Sequence, residues 1–140
     1  MASLVSIRDI MSKDVQVVRP DTTAQEVVAT MSKFDISSIV VVQADRPVGI
    51  ITLRDVLEKI AVQCLAPRAV TARQIMTSPL VTIDETATVE EAANLMVQKK
   101  VKTLPVMDGD KLVGVLTYTD IVFEVPNLLS VMESLCRPEM

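Results

Sequence analysis

A chain of 140 residues that is 49% apolar carries enough hydrophobic side chain for one domain, or for two small halves, and is not disordered. It has no His and no Trp, 2% aromatics and 18 acids against 14 bases, for a net charge of −4; this excludes the basic, ring-bearing surface of a nucleic-acid binder, the usual general base and the commonest transition-metal ligand. Its longest aliphatic run, residues 39–42, is far short of the ~20 residues that span a membrane, and no secretory leader opens the chain, so a soluble cytoplasmic protein is expected.

Taken in order, Ser6 opens one helical turn, residues 15–18 form a first strand, and Thr23-x-x-Glu26 reads as a capping box. Val27, Val28, Met31 and Phe34 then recur at helical spacing. The β-branched run 38–42, a turn at 44–47 and a strand at 48–51 predict a hairpin, and a second helix starts at Thr52. The linker 61–69 contains Cys64 and a helix-barring Pro67.

Residues 70–125 then repeat residues 5–60 at an offset of 65, without a gap and with 13 identities in 56 positions. Thr71, strand 80–83, Thr88-x-x-Glu91, the helix of Val89, Ala92, Ala93 and Met96, hairpin strands 104–107 and 112–116, and a helix start at Thr117 are the twins. The fold class is therefore α+β, two β-α-β-β-α repeats packed about a pseudo-twofold axis, because neither is large enough to bury its own apolar faces. Residues 126–140 add a C-terminal helix and tail, with Leu128, Leu129, Met132, Leu135 and Cys136 on one face that covers the repeats or meets a partner.

The most informative segments are Gly49-Ile-Ile-Thr52-Leu-Arg54-Asp55 and Gly114-Val-Leu-Thr117-Tyr-Thr119-Asp120. Two of only three glycines occupy the same strand position in both copies, which points to a bulge or a close backbone approach. Thr-x-x-Asp can be a further capping box. Asp, however, is shorter than the Glu of the preceding helices and should reach back less easily, leaving it to face outward and accept from a ligand's paired hydroxyls.

Ile10-Met11 and Ile75-Met76, then Val101-x-x-Leu104-Pro105-Val106, then Gly-h-h-Thr-x-x-Asp (h apolar) resemble the cystathionine β-synthase (CBS) domain, and two in tandem resemble a Bateman module. Val40 stands where the family often has Pro. The resemblance implies two clefts that bind adenine nucleotides, with Asp55 and Asp120 on ribose hydroxyls and Thr52 and Thr117 near phosphate. It also implies composite sites: Pro79, Leu80, Val101, Lys102 and Thr103 would complete the Asp55 cleft, and Asp14, Val15, Ile36, Ser37 and Ser38 the Asp120 cleft. Arg54 and Lys102 would then share the Asp55 cleft, against neutral Thr119 and Ser37 in the other, so AMP should prefer Asp55 by about tenfold or more.

On this reading the chain is an AMP-type sensor, without catalytic or metal residues, that signals in trans to an effector of unknown identity. A ligand-independent scaffold is the alternative, and an Asp55–Asp120 catalytic pair conflicts with equivalent, separate clefts. Val56, Leu57 and Ile60, with Ile121, Val122 and Val125, leave apolar faces that predict a homodimer. The eight methionines read as core filler, 99–102 as a solvated helix end whose Lys102 can face phosphate, and Asp45, Asp108 and Asp110 as turn formers. Cys64 and Cys136 read as buried thiols or a disulfide pair.

Overall fold

Each repeat folds as β-α-β-β-α preceded by one helical turn in the computed structural model, which describes residues 5–136 and, at Cys136, the backbone alone. The first contributes α1 (Ile7–Ile10), β1 (Val17–Val18), α2 (Ala24–Phe34), β2 (Ser38–Gln43), β3 (Arg46–Thr52) and α3 (Leu53–Val56), which continues as a π-turn over Leu57–Ala61. The second contributes α4 (Ala72–Ile75), β4 (Ile83–Asp84), α5 (Val89–Lys99), β5 (Thr103–Asp108), β6 (Lys111–Thr117) and α6 (Tyr118–Glu124). A short 3-10 turn, Pro126–Leu128, leads into α7 (Leu129–Cys136).

Both three-stranded sheets have the same register. β1 runs parallel to β2, with Val17 opposite Val40, and β2 pairs antiparallel with β3 from Ser38–Thr52 to Gln43–Arg46. Ala44 and Asp45, at φ 52° and 65°, make the tight turn whose handedness matches the strand twist. In the twin sheet Ile83 faces Val106, Thr103 faces Thr117, and Gly109 at φ 61° turns the chain. The ladder slips between Val41 and Val42, opposite Gly49 and Pro47, and between Val106 and Met107, opposite Gly114 and Leu112. These bulges are what the paired strand glycines announced.

The helix starts depart from expectation in one respect. Thr23 and Thr88 hydroxyls accept the Glu26 and Glu91 amides at 3.2 and 3.0 Å, but the Glu carboxylates do not close the boxes. Both Thr-x-x-Asp motifs do close theirs: Asp55 Oδ2 accepts the Thr52 N–H and Asp120 Oδ2 the Thr117 N–H, each at 2.9 Å, as do Asp9 at Ser6 and Gln74 at Thr71. Length does not decide this: an N3 side chain held in the first turn reaches the cap amide whether it is Asp or, at 2.8 Å from the Thr71 N–H, the longer Gln74.

Two compact units result, and they do not coincide with the sequence repeats. One runs Gln16–Leu80; the other joins the segment ending at Val15 to the chain from Val81. The opening arm of each repeat thus belongs to the unit built on the other repeat's sheet. In the first unit, Ala72 donates to Thr22 O, and Ile50 and Thr77 exchange backbone hydrogen bonds at 3.2 and 2.8 Å. Val27, Met31, Ile39, Val41, Ile51, Ala72 and Ile75 form its core. In the second, Ser12 and Val115 exchange the equivalent pair at 2.9 and 3.0 Å, and Ile7 packs with Met96, Leu104, Leu116 and Ile121.

Helix α7 covers its own unit through fully buried Met132, with Leu128 and Leu135 against the same core. Ile60 and Ile121, expected on an open face, are buried; Leu53, Leu57 and Phe123 are the exposed apolar residues of those helices, because the turns present them away from the sheet. Phe34 is likewise exposed, beneath the Lys33 ammonium. Cys64, expected to be buried, is exposed and free in a left-handed turn at φ 56°, and the Cys136 side chain lies outside the described residues.

Candidate functional site

Thr-x-x-Asp ends the last strand of each sheet, and the chain before the middle strand lies beside it. Leu53 N–H donates to Ser37 O at 3.1 Å, and Tyr118 N–H donates to Lys102 O at 2.9 Å. The first unit therefore gathers Ile36, Ser37 and Ser38 with Thr52, Arg54 and Asp55, and adds Thr77, Pro79 and Leu80 from the arm. The second gathers Val101, Lys102 and Thr103 with Thr117, Thr119 and Asp120, and adds Ser12, Asp14 and Val15. The expected grouping placed 36–38 with Asp120 and 101–103 with Asp55; hairpin pairing, Ser38 to Thr52 and Thr103 to Thr117, sets each segment beside the Thr-x-x-Asp of its own sheet.

The two carboxylates differ. Asp55 is the one charged residue buried among those described, 6% exposed. Its Oδ2 accepts the Thr52 N–H at 2.9 Å and the Thr52 hydroxyl at 3.2 Å. Its Oδ1 accepts the Thr77 hydroxyl and pairs with Lys59 Nζ, both at 3.0 Å. Asp120 is half-buried, and among the described residues its carboxylate accepts from the Thr117 N–H alone. Beside it, the Thr117 and Thr119 hydroxyls are 2.9 Å apart, and the exposed Lys102 ammonium stands 5.4 Å from the Tyr118 ring centre.

Arg54, expected at phosphate, instead reaches along its helix to Glu58, with Nε 2.8 Å from Oε1 and a largely exposed side chain. Lys102 falls in the unit of Asp120, so the two cations do not share one unit. Lys59 and Thr77 were missed by sequence reasoning. The signal for Lys59 was present in the alignment of the repeats: it follows Asp55 by one helical turn, and its twin is Glu124. Thr77 is 22 residues from Asp55, and only the arm's position joins them.

Among the described residues no three His, Cys, Asp or Glu side chains cluster as a metal site, and no helix is long and apolar enough to cross a membrane.

Comparison with known proteins agrees with this architecture. The family model for the CBS domain matches residues 7–62 and 72–127. An uncharacterised protein of Methanopyrus kandleri is 39% identical over 131 residues, covering 92% of this chain and 67% of the relative. A hexameric CBS-CP12 protein from bloom-forming cyanobacteria superposes with a TM-score of 0.80 at 27% identity, over 86% of this chain and 67% of that one. Hypoxic Response Protein I, solved with two coordinated zinc ions, gives 0.77 at 29% identity, over 87% of this chain and 100% of that one. The protein of that name from Mycobacterium tuberculosis is 28% identical over 138 residues, 96% of both chains.

Proposed function

The chain belongs to the CBS domain family, with two copies in tandem, and on that premise we propose that it is a regulatory module that binds an adenine nucleotide of the AMP type and passes the bound state to a partner protein. The observation that carries this reading is the Asp120 carboxylate. It is held by one backbone N–H and keeps most of its roughly four acceptor positions for other donors. Paired ribose hydroxyls are donors of the right kind.

The neighbouring groups suit the rest of a nucleotide. Lys102 and the hydroxyls of Thr117 and Thr119 offer donors to phosphate, and Val15 and Val101 offer aliphatic surface to a purine. Asp14 and Thr103 complete this set. The corresponding set in the other unit is Ile36, Ser37, Ser38, Thr52, Arg54, Asp55, Pro79 and Leu80.

Ligand binding acts on a partner only through a difference in affinity between two conformations, so the response is a shift in their populations. A second copy of the chain is the first such partner, and the exposed Leu53 and Leu57 on one unit and Phe123 on the other are what it covers.

Thermal unfolding with AMP, ADP and ATP tests the nucleotide reading. A ligand at 100 times its dissociation constant adds about 2.7 kcal/mol of stability, worth several degrees in a chain of this size. No shift with any of the three at millimolar concentration removes the reading.

A further inference from the structure

We propose that the two Thr-x-x-Asp sites are not two copies of one receptor: Lys59 and Thr77 act as a built-in ligand for Asp55, leaving Asp120 as the carboxylate that takes a ribose. This rests on the nucleotide reading above and adds where, and how many, ligands bind.

A carboxylate offers about four lone-pair positions. At Asp55 four donors fill them: the Thr52 amide and hydroxyl on Oδ2, and the Thr77 hydroxyl and Lys59 ammonium on Oδ1. A ribose hydroxyl can bond to Asp55 only by evicting one of these.

Lys59 is held on its other side as well. Its Nζ donates to Ile75 O at 3.0 Å and Met76 O at 3.4 Å, so all three ammonium protons have acceptors. Displacing it would strand two carbonyls at the end of α4 together with a cation. The Asp55 side chain is 9% exposed, so a competing hydroxyl would also have to enter a nearly closed site.

The second repeat lacks the device. Glu124 occupies the position of Lys59, where a carboxylate cannot donate, and Ser12 occupies the position of Thr77. Among the described residues, neither bonds to Asp120. Lys59 is thus a specificity-determining residue acting through Asp55: it sets the number of ligands per chain.

The experiment is calorimetric titration of the full chain with AMP, alongside Asp120→Asn and Lys59→Met. One AMP per wild-type chain, weakened at least tenfold by Asp120→Asn, and two per chain in Lys59→Met are the expected results. Two equivalent sites in the wild type, or binding that survives Asp120→Asn and is lost in Asp55→Asn, overturns the proposal.

A urea double-mutant cycle of Asp55→Asn and Lys59→Met separates this from failure of the nucleotide reading. Additive effects of the two substitutions overturn the internal ligand whatever AMP does. Coupled effects with no AMP bound by any variant support the Asp55–Lys59 contact and overturn the choice of nucleotide.

Discussion

Met76 packs against the bare Cα of Gly49: a Cβ built on that glycine would stand 2.9 Å from Met76 Cγ and 3.1 Å from its Cβ. Gly114 and Met11 repeat the relationship, with 2.9 Å to Met11 Cγ. The Ile-Met pair that opens each repeat and the glycine in each bulged strand are therefore two halves of one contact, made between an arm and the sheet it joins.

Gly49→Ala should accordingly destabilise by about 1–3 kcal/mol, the usual cost of forcing a methyl into filled space. The nearest atom is Met76 Sδ at 2.5 Å, and even with the sulfur swung away Cγ and Cβ would still crowd the methyl. In a Met76→Ala background the same substitution should cost clearly less. Urea unfolding of the four proteins in the cycle decides it, and an unchanged cost in that background would show that Met76 is not what excludes the methyl.

Asp84 supplies a pH handle. Its carboxyl is held below the ordinary aspartate range, first by the Thr86 hydroxyl at 2.6 Å and then by the Thr86 N–H at 2.8 Å. A depressed folded-state value means that the charged form stabilises the native state above the unfolded aspartate range. That contribution is lost as pH falls through the folded value. Thr86→Val should raise the Asp84 titration midpoint measured by NMR, and the stability gap between the two proteins should close as the solution becomes strongly acidic. A midpoint unmoved by the substitution refutes the assigned cause.

Association should depend on Leu57 and Phe123, 61% and 82% exposed on the helices that follow the two Thr-x-x-Asp motifs. Sedimentation at micromolar concentration should report a species of twice 15.3 kDa, and Leu57→Glu or Phe123→Glu should shift it toward monomer. A wild-type monomer under those conditions removes the dimer.

Nucleotide should be released chemically unchanged. Hydrolysis at neutral pH needs a positioned base or metal near the phosphate, and Lys102, Thr117 and Thr119 offer hydrogen bonds only. Incubation with ATP and Mg²⁺ followed by chromatography should show no product; steady turnover that survives repurification would contradict the binding-module reading.

Much of this was legible in the sequence because it is local. Thr23, Thr88, Thr52 and Thr117 each start a helix, and the turns at Ala44-Asp45 and Gly109 close the expected hairpins. The relation of Asp to its cap was misjudged from side-chain length, since a residue already fixed in the first turn has less distance to cover than length alone suggests. Contacts that follow from the arms were hidden for another reason. Thr77 to Asp55 and Met76 to Gly49 join residues more than 20 positions apart, and periodicity carries no information about which sheet an arm will join. The Arg54–Glu58 pair, one turn along the same helix, was equally open to the sequence as an i,i+4 contact.

The mismatch between repeat and compact unit bears on how such a chain can be dissected or assembled. Residues 16–80 hold one sheet with its arm in a single continuous stretch, whereas residues 5–60, one repeat by sequence, hold a sheet without its arm and an arm without its sheet. Two copies of such a lone repeat could complete themselves only by trading arms between molecules, as a reciprocal swap. Fusing them head to tail turns that trade into an intramolecular event at an effective concentration on the order of millimolar, so what would otherwise be an association reaction, sensitive to dilution, becomes a step in the folding of one chain.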